Sequence, residues 1–238
     1  MPMSGKTKKV KGTKQTLEYV EQPEKLHVKA IKCKNAKQKE FLKTLDEKII
    51  TVCTGSPGSG KTFLALYSAL KALEKGQVER IYLVKPVVQI PGEEVGFLKG
   101  SLEEKLDPVN WSFFGNIDKL IGESWRKKLI AEKKLVSVPI AFLRGVNLDH
   151  ARVIVDEAQN ITLSTFKTII TRIGEGSSYC VCGDIEQQDI KDKKRSCLHQ
   201  LIELFNNDDT VGAVTFSDED CVRNPCIPYI LNKLRTLE

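Results

Sequence analysis

The sequence of 238 residues lacks several features that define other classes of protein. No apolar run approaches the roughly 20 residues that a membrane-spanning helix needs, and the Lys-rich first residues contain no apolar stretch of a secretory signal. We therefore expect no membrane partner. Seven cysteines form neither a disulfide framework nor a C-x-x-C pair, and three histidines lie far apart, so we expect reduced thiols and no zinc site.

The charge is distributed unevenly along the chain, although the net charge is only +6. Residues 1–48 carry 13 Lys and 6 acidic side chains, and the rest of the chain is close to neutral. Such a basic block attracts phosphate backbones at long range. We predict that residues 1–30 form a basic, flexible tail, which is either simply solvated or also adhesive to nucleic acid, and that residues 31–238 form one folded domain.

Two kinds of apolar segment alternate in the folded part. Short β-branched runs are typical of buried strands, and apolar residues at helical spacing indicate helices. Strands are expected at residues 48–54, 80–85, 135–143, 152–159, 178–184 and 210–217, and helices at 36–47, 61–75, 162–173, 196–205 and 228–237. Pro139 indicates that the third strand lies at an edge. The alternation predicts an α/β fold, a mainly parallel sheet with helices on both faces.

Residues 86–134 interrupt this alternation. Prolines and glycines are frequent there, so we predict an irregular insert within the domain. The aromatic side chains of Trp111, Phe113 and Phe114 could stack on bases. The interpretation that we favour is that they pack the insert against the core.

A glycine-rich loop follows the first strand and precedes an amphipathic helix. It reads GSPGSGKT, which is the pattern G-x-x-x-x-G-K-T. Without Cβ atoms in the way, backbone N–H groups can turn toward phosphate oxygens, and the helix N-terminus adds partial positive charge. We predict that Lys61 reaches the β- and γ-phosphates and that the Thr62 hydroxyl binds Mg²⁺. The residues expected around the phosphates are Gly55, Ser56, Pro57, Gly58, Ser59 and Gly60.

Acidic and amide side chains follow two of the later strands. Asp156 and Glu157 end the run VIVDE, where we expect Asp156 to hold Mg²⁺ and Glu157 to polarise the attacking water. The strand SYCVCG is followed by Asp184 and Gln187. In a RecA-like arrangement that strand lies between the other two, so Gln187 would sense the γ-phosphate. The alternative is that these groups are solvated ends of strands.

The motifs resemble those of a known family. The segments TGSPGSGKTFLAL, GEEVGFLKGSLEEKLDP, LRGVNLDHARVIVDEAQNIT, TRIGEGS, GDIEQQD and DEDCVRNPCIPYI occur in this order. They are similar to those of the PhoH-like family of P-loop ATPases, whose core resembles the nucleotide-binding domain of superfamily 1 helicases. The resemblance covers about residues 35–236, and the short chain resembles a phage or minimal version. The cysteine pattern predicts a protein of the cytoplasm, which would be the host cytoplasm if the chain is phage-encoded.

The resemblance also implies roles for individual residues. It implies binding and hydrolysis of ATP with Mg²⁺, and a link to RNA or single-stranded nucleic acid. Gln38 would read adenine, unless it is a surface glutamine on a helix. Arg223 would stabilise γ-phosphate charge in its own chain or in a neighbouring subunit, unless it forms a surface ion pair. We interpret Arg144 and Arg172 as members of structural ion pairs.

Two places depart from the family pattern. One is the segment VNWSFFGNI after DP, where the family has a Tyr-Leu-Arg-Pro-like run, so we do not extend the family's role to that region. The other is Lys85-Pro86, which stands where the family has Arg-Pro, so a bidentate phosphate contact is not expected there.

The sequence therefore predicts a single RecA-like P-loop NTPase domain whose catalytic residues are Lys61, Glu157, Gln187 and Arg223. A single domain has no second domain to close on it, so we expect either a homo-oligomer, such as a ring or dimer with ATP at the subunit boundary, or an ATPase that does not unwind strands. An alternative is an ATP-dependent switch or assembly module that binds a protein partner with little turnover. A small-molecule kinase fits the acid pair poorly.

Overall fold

The computed structural model describes residues 25–86, 102–188, 196–224 and 226–237. Most of the predicted basic tail and the stretch at 87–101 of the predicted insert lie outside the described residues, and the proposed division at residue 30 stays a prediction. No helix in the described ranges has the length and the apolar composition needed to cross a membrane.

A six-stranded sheet lies at the centre of the protein, and all of its strand pairs are parallel. The strands are β1 (Ile50–Gly55), β2 (Arg80–Val84), β3 (Leu135–Ser137), β4 (Ala151–Val155), β5 (Ser178–Gly183) and β6 (Val211–Phe216). Their spatial order is β3-β2-β4-β5-β1-β6. The predicted parallel α/β fold is thus confirmed, because short β-branched runs joined by helices leave only parallel pairing.

Helices cover both faces of this sheet. They are α1 (Ala36–Glu47), α2 (Lys61–Glu74), α3 (Leu102–Ile121), α4 (Glu123–Ala131), α5 (Leu163–Ile170), α6 (Leu198–Leu204) and α7 (Cys226–Leu234). Alternate residues of β4 face the two layers: Ile154 packs with one core cluster, and Val153 and Val155 pack with the other. Full burial on both faces explains why the strand reads as a continuous apolar run.

The strand order decides what meets at the carboxyl edge of the sheet. Because β5 lies between β1 and β4, the loop after β1 and the acidic end of β4 flank the end of β5. This is the position that a RecA-like arrangement predicts for that strand. Ligands of open α/β sheets bind at the carboxyl ends of the strands, so this edge holds the candidate site.

The prediction of irregular structure in the insert is wrong over residues 102–131, where the chain forms α3 and α4. Phe113, Ile117 and Leu120 recur at helical spacing in α3 and are buried in the core cluster that includes α2. The packing that we favoured for the aromatic residues therefore holds for Phe113 and for Phe114, which is partly buried against the same cluster. It does not hold for Trp111, whose surface is 71% exposed.

The segment at 135–143 contains a shorter strand than the sequence indicates. β3 ends at Ser137, and a 3₁₀ turn over Ile140–Leu143 follows Pro139. Proline has no N–H to donate to a neighbouring strand, so pairing stops before it. The expected edge position is confirmed, because β3 is the first strand of the sheet.

Candidate active site

The glycine-rich loop joins β1 to α2 and depends on glycine at both of its ends. Gly60 caps α2 with a φ of 92°, which residues with a Cβ rarely adopt. Gly55 has a φ of 141°, and a Cβ there would lie 2.4 Å from the carbonyl oxygen of Phe216 in β6. The glycines therefore let the loop turn tightly against β6 and leave the N-terminus of α2 at the cleft.

Lys61 is buried inside this loop. Its ammonium donates to the carbonyl oxygens of Gly55 and Ser56, the latter at 2.9 Å, and to the Ser59 hydroxyl at 3.3 Å. All three acceptors are neutral, and a phosphate oxygen is a stronger acceptor for an ammonium than a carbonyl is. The lysine is therefore placed to exchange these contacts for a triphosphate.

The acidic end of β4 meets the start of α2. The Thr62 hydroxyl donates to Asp156 Oδ1 at 3.0 Å, although the two residues are 94 positions apart. Burial raises the pKa of the Asp156 carboxyl, and the nearby Lys85 ammonium partly offsets this effect. A hydroxyl and a carboxylate in contact suit Mg²⁺, which takes oxygen ligands and usually one or two carboxylates beside substrate phosphates. Thr62 and Asp156 could hold this ion.

Glu157 follows in an uncommon backbone conformation, with a φ of 56°. Left-handed backbone at a residue with a side chain costs free energy and is concentrated at functional sites. Its carboxylate receives a hydrogen bond from Gln159 Nε2 at 2.8 Å and has Lys85 Nζ at 3.9 Å. The side chain is half exposed and lines the cleft, so it can approach a bound water.

Lys85 lies between the acid pair and α3, and the sequence did not predict this contact with the acids. Its ammonium is 3.9 Å from Asp156 Oδ2 and 3.9 Å from Glu157 Oε1, and it donates to Ser112 Oγ at 2.8 Å. Phe113 packs beside it, with the ring centroid 5.2 Å away. Lys85 is therefore a counter-charge for both acids. Lys85 directly follows β2, the strand that pairs with β4, and this position is the signal that could have indicated a contact with the acid pair.

For the nucleotide hydrolysis that the sequence predicts, replacing Lys85 with Met should lower kcat by roughly tenfold or more, because Glu157 loses a charge that positions it. The half-saturating Mg²⁺ concentration should fall, since no ammonium then competes with Mg²⁺ for Asp156. Lys85→Arg keeps the charge and should recover most of the rate. Steady-state phosphate release over a Mg²⁺ titration measures both quantities. An unchanged kcat in Lys85→Met would contradict this role.

A buried amide links Glu157 to the turn after β5. Gln159 is 1% exposed, and its Nε2 donates to Glu157 Oε2 at 2.8 Å and to the Gln187 carbonyl at 2.9 Å. Its Oε1 accepts the Asp184 N–H at 3.0 Å. Gln159 was not among the predicted site residues, since its role depends on side-chain contacts between strands. The turn that it fixes leaves the Gln187 side chain exposed along the cleft.

Gln38 and Arg223 both lie next to the glycine-rich loop, Gln38 beside Gly60 and Arg223 beside Gly58. Gln38 is only 4% exposed, so it is not a surface glutamine. It accepts the Lys34 N–H at 2.8 Å and donates to the Ser59 carbonyl at 2.9 Å. Arg223 is exposed, and its side chain lies next to Gly58. No carboxylate among the described residues forms an ion pair with it. Both line one cleft of about 720 Å³ that also contains Lys61, Thr62, Asp156, Glu157 and Gln187.

The interpretation of Arg144 and Arg172 as members of ion pairs finds no support within the described ranges. Arg172 donates to the hydroxyl of its neighbour Thr171 at 3.2 Å, and its Nε is buried without an acceptor among these residues. Arg144 is exposed and lines a groove together with Pro86 and Pro139. Neither lines the cleft at the end of β1.

The parallel strand order, the glycine-rich loop after β1 and the acid pair two strands away define a RecA-like P-loop NTPase with a nucleotide cleft at the carboxyl edge of its sheet. This assignment agrees with a family comparison. The family model described as "PhoH-like protein" matches residues 30–234. The chain therefore belongs to the PhoH-like family, and the resemblance noted in its motifs is confirmed.

Individual relatives agree with this membership. A PhoH-like protein of Bacillus subtilis is 33% identical over 203 residues, 85% of this chain and 63% of the relative. Protein PhoH of Escherichia coli is 36% identical over 196 residues, 82% of this chain and 55% of the relative. The chain thus spans only 55% to 63% of these relatives. Among solved structures, the large terminase of a thermophilic bacteriophage is similar with a TM-score of 0.47 and 11% identity, over 79% of this chain and 47% of the terminase.

Proposed function

We propose that the protein binds ATP with Mg²⁺ in the cleft at the end of β1 and hydrolyses it to ADP and phosphate. The observation that carries this proposal is the 3.0 Å contact between the Thr62 hydroxyl and Asp156. This contact brings the loop that can bind phosphates next to the carboxylate that can bind the metal ion.

Each part of the cleft has a distinct task in this proposal. Backbone N–H groups of residues 55–60 and the N-terminus of α2 hold the phosphates, and Lys61 moves from the loop carbonyls to the β- and γ-phosphate oxygens. Bound Mg²⁺, held by Thr62 and Asp156, would neutralise phosphate charge. Glu157 orients the attacking water and takes its proton at a carboxylate oxygen. Arg223 lies in the cleft of its own chain, which favours a role in the same subunit.

Two amide side chains of the cleft would recognise the adenine and the γ-phosphate of ATP. Gln38 uses one donor and one acceptor of its amide within the chain, which leaves a second hydrogen and a second lone pair for adenine. Gln187, which also lines the cleft, would sense the γ-phosphate from a turn that hydrogen bonds to Gln159 fix. These two assignments make the cleft selective for adenine and for a triphosphate.

We further propose that single-stranded nucleic acid, RNA in the first place, stimulates this hydrolysis. The excess of lysine in residues 1–48 supplies the charge for a phosphate backbone. Trp111 supplies an exposed ring on α3, next to Ser112, which contacts Lys85 and lines the cleft. A base that stacks on Trp111 would therefore be coupled through Ser112 and Lys85 to the acid pair.

Single-stranded RNA should increase the ATPase rate, and its binding should weaken steeply as salt rises, because lysine–phosphate contacts release counterions. Trp111→Ala should weaken RNA binding by roughly 1–3 kcal/mol, the range for one base–aromatic stack, and should leave the rate without RNA unchanged. Tyr229→Ala, which removes an exposed ring on α7, serves as the control. Fluorescence anisotropy and phosphate release test this with RNA, DNA and duplex oligonucleotides. ATPase rates that no oligonucleotide changes would contradict the nucleic-acid proposal.

A second candidate is an ATP-dependent switch that assembles with a protein or with further copies of this chain. The observation that favours it is the apolar surface of α7, where Tyr229, Ile230 and Leu234 are 49% to 66% exposed. Light scattering with and without Mg²⁺ and ATP would detect a dimer or ring. A constant monomer mass would remove the proposal that ATP binds at a subunit boundary.

A further inference from the structure

Asp184 is a buried carboxylate that the proposed reaction has not yet used. It is 7% exposed and lies directly after β5. Its Oδ1 accepts the Glu186 N–H at 3.0 Å, its carbonyl oxygen accepts the Gln187 N–H at 3.0 Å, and its own N–H donates to Gln159 at 3.0 Å. These three contacts fix the turn. Its second carboxylate oxygen, Oδ2, is buried and has no hydrogen-bond partner in the part of the chain that the structure describes.

An unpaired buried carboxylate oxygen is unfavourable. Leaving such a group without a partner costs roughly 1–3 kcal/mol, and more if it is charged. Burial also raises the pKa of Asp184, which reflects the same desolvation. Asparagine in this position would make the same turn contacts through its carbonyl oxygen without a buried charge. The contacts within the turn therefore do not explain why a carboxylate with an unpaired Oδ2 occupies this position. An unsatisfied buried group of this kind requires another partner.

The surroundings of Asp184 indicate that this partner belongs to the reaction. Asp184 lines the same cleft as Lys61 and Glu157. Both of those charges lie close enough to change the pKa of Asp184, Lys61 lowering it and Glu157 raising it. Because β5 lies between β1 and β4, Asp184 is placed between the phosphate loop and the acid that would activate water.

We propose that Asp184 is a further catalytic residue, whose Oδ2 turns toward the cleft when the nucleotide binds and accepts one hydrogen bond from the attacking water while Glu157 accepts the other. This inference rests on the proposed ATP hydrolysis. A water molecule has two hydrogens, and two acceptors that hold both of them leave a lone pair free to point at the γ-phosphorus. One acceptor alone leaves the water free to rotate, and that orientation is part of the barrier.

The hydrolysis step needs no reactant besides ATP and water. The water oxygen forms a bond to the γ-phosphorus, and the bond from this phosphorus to the β,γ-bridging oxygen breaks, with its electron pair going to ADP. The proton leaves the water for the Glu157 carboxylate and passes on to phosphate or solvent. Asp184 orients the water and takes no proton. Gln159 fixes the positions of the two carboxylates relative to each other, because it donates to Glu157 Oε2 and accepts the Asp184 N–H.

Asp184→Asn tests this assignment with almost no change in shape. The asparagine carbonyl can still accept the Glu186 N–H, while an amide NH₂, which cannot accept, replaces Oδ2. We expect kcat to fall about 10- to 100-fold. The Kd for ATP should stay the same or decrease, since a negative charge near the phosphates is removed. Asp208→Asn is the matched control, because Asp208 also accepts loop N–H groups, those of Thr210 and Val211, but at the start of β6.

The two readouts separate this role from a structural one. Tight ATP binding by Asp184→Asn shows that the cleft is folded, so a lower kcat then reports the lost acceptor. A kcat within about twofold of the unchanged protein, which is a difference below 0.5 kcal/mol, would overturn the proposal, as would a fall in kcat that comes with equally weakened ATP binding. If the unchanged protein binds ATP but releases no phosphate, the proposed function itself fails, which is a different outcome.

Discussion

Replacing Glu157 with Gln is expected to lower kcat by about 100- to 10,000-fold, the range for removal of a general base, while ATP binding is retained. The amide cannot take a proton from water. The amide also matches its surroundings less well than the carboxylate does, because both groups that face it are donors: Gln159 Nε2 donates to one carboxylate oxygen, and the Lys85 ammonium lies near the other. An amide NH₂ facing either of them finds no acceptor, so the side chain also loses its fixed position.

Single-turnover phosphate release and equilibrium ATP binding measure the two effects separately. Glu79→Gln is a suitable control, since Glu79 is exposed just before β2, at the opposite edge of the sheet. If Glu157→Gln binds ATP and releases phosphate as slowly as the unchanged protein does, then hydrolysis is not the task of this cleft. The ATP-dependent switch would then be the better account.

Replacing Lys61 with Ala is expected to weaken ATP binding about 10- to 150-fold, which corresponds to the roughly 1.5–3 kcal/mol of a hydrogen bond to a charged group. Phosphate release should become undetectable. The substitution removes the ammonium that would meet the phosphates. It also removes the donor to the carbonyls of Gly55 and Ser56, so the loop loses contacts that hold its shape.

Lys61→Arg should not restore activity, because the planar guanidinium has no room in a loop where the lysine is 9% exposed. Lys75→Ala is the control, since Lys75 lies just beyond the other end of the 14-residue α2, about 20 Å away by helix geometry. Isothermal titration with ATP and Mg²⁺ gives the Kd values. Undiminished affinity in Lys61→Ala would place the nucleotide elsewhere on the protein.

The parts of the site that could be predicted from the sequence depend on short patterns. A β-branched run followed by GSPGSGKT contains the strand, the turn and the helix start in consecutive residues, so its local structure follows from local chemistry. The acid pair Asp156–Glu157 could be predicted in the same way, because it directly follows the apolar strand residues VIV. The meeting of Thr62 and Asp156 required one further step, the order of parallel strands, which the RecA-like resemblance supplied and the sheet confirms.

The parts that could not be predicted depend on contacts between elements. Lys85 acts as a counter-charge because β2 is adjacent to β4 and because α3 brings Ser112 to the same ammonium. The expected irregular insert was a misinterpretation for a related reason. Prolines and Gly115 indicated loops, but burial of Phe113 and Ile117 against the core stabilises α3, and tertiary packing overrides local propensity.

The central claim is that Lys61, Thr62, Asp156 and Glu157 form a single site for Mg²⁺ and ATP. The most direct test is phosphate release from ATP by the unchanged protein, measured with Mg²⁺ and again with the metal chelated. We expect saturable release that depends on Mg²⁺ and that Glu157→Gln abolishes. A preparation that fails to bind ATP, or that releases phosphate equally well without divalent metal, would contradict the account.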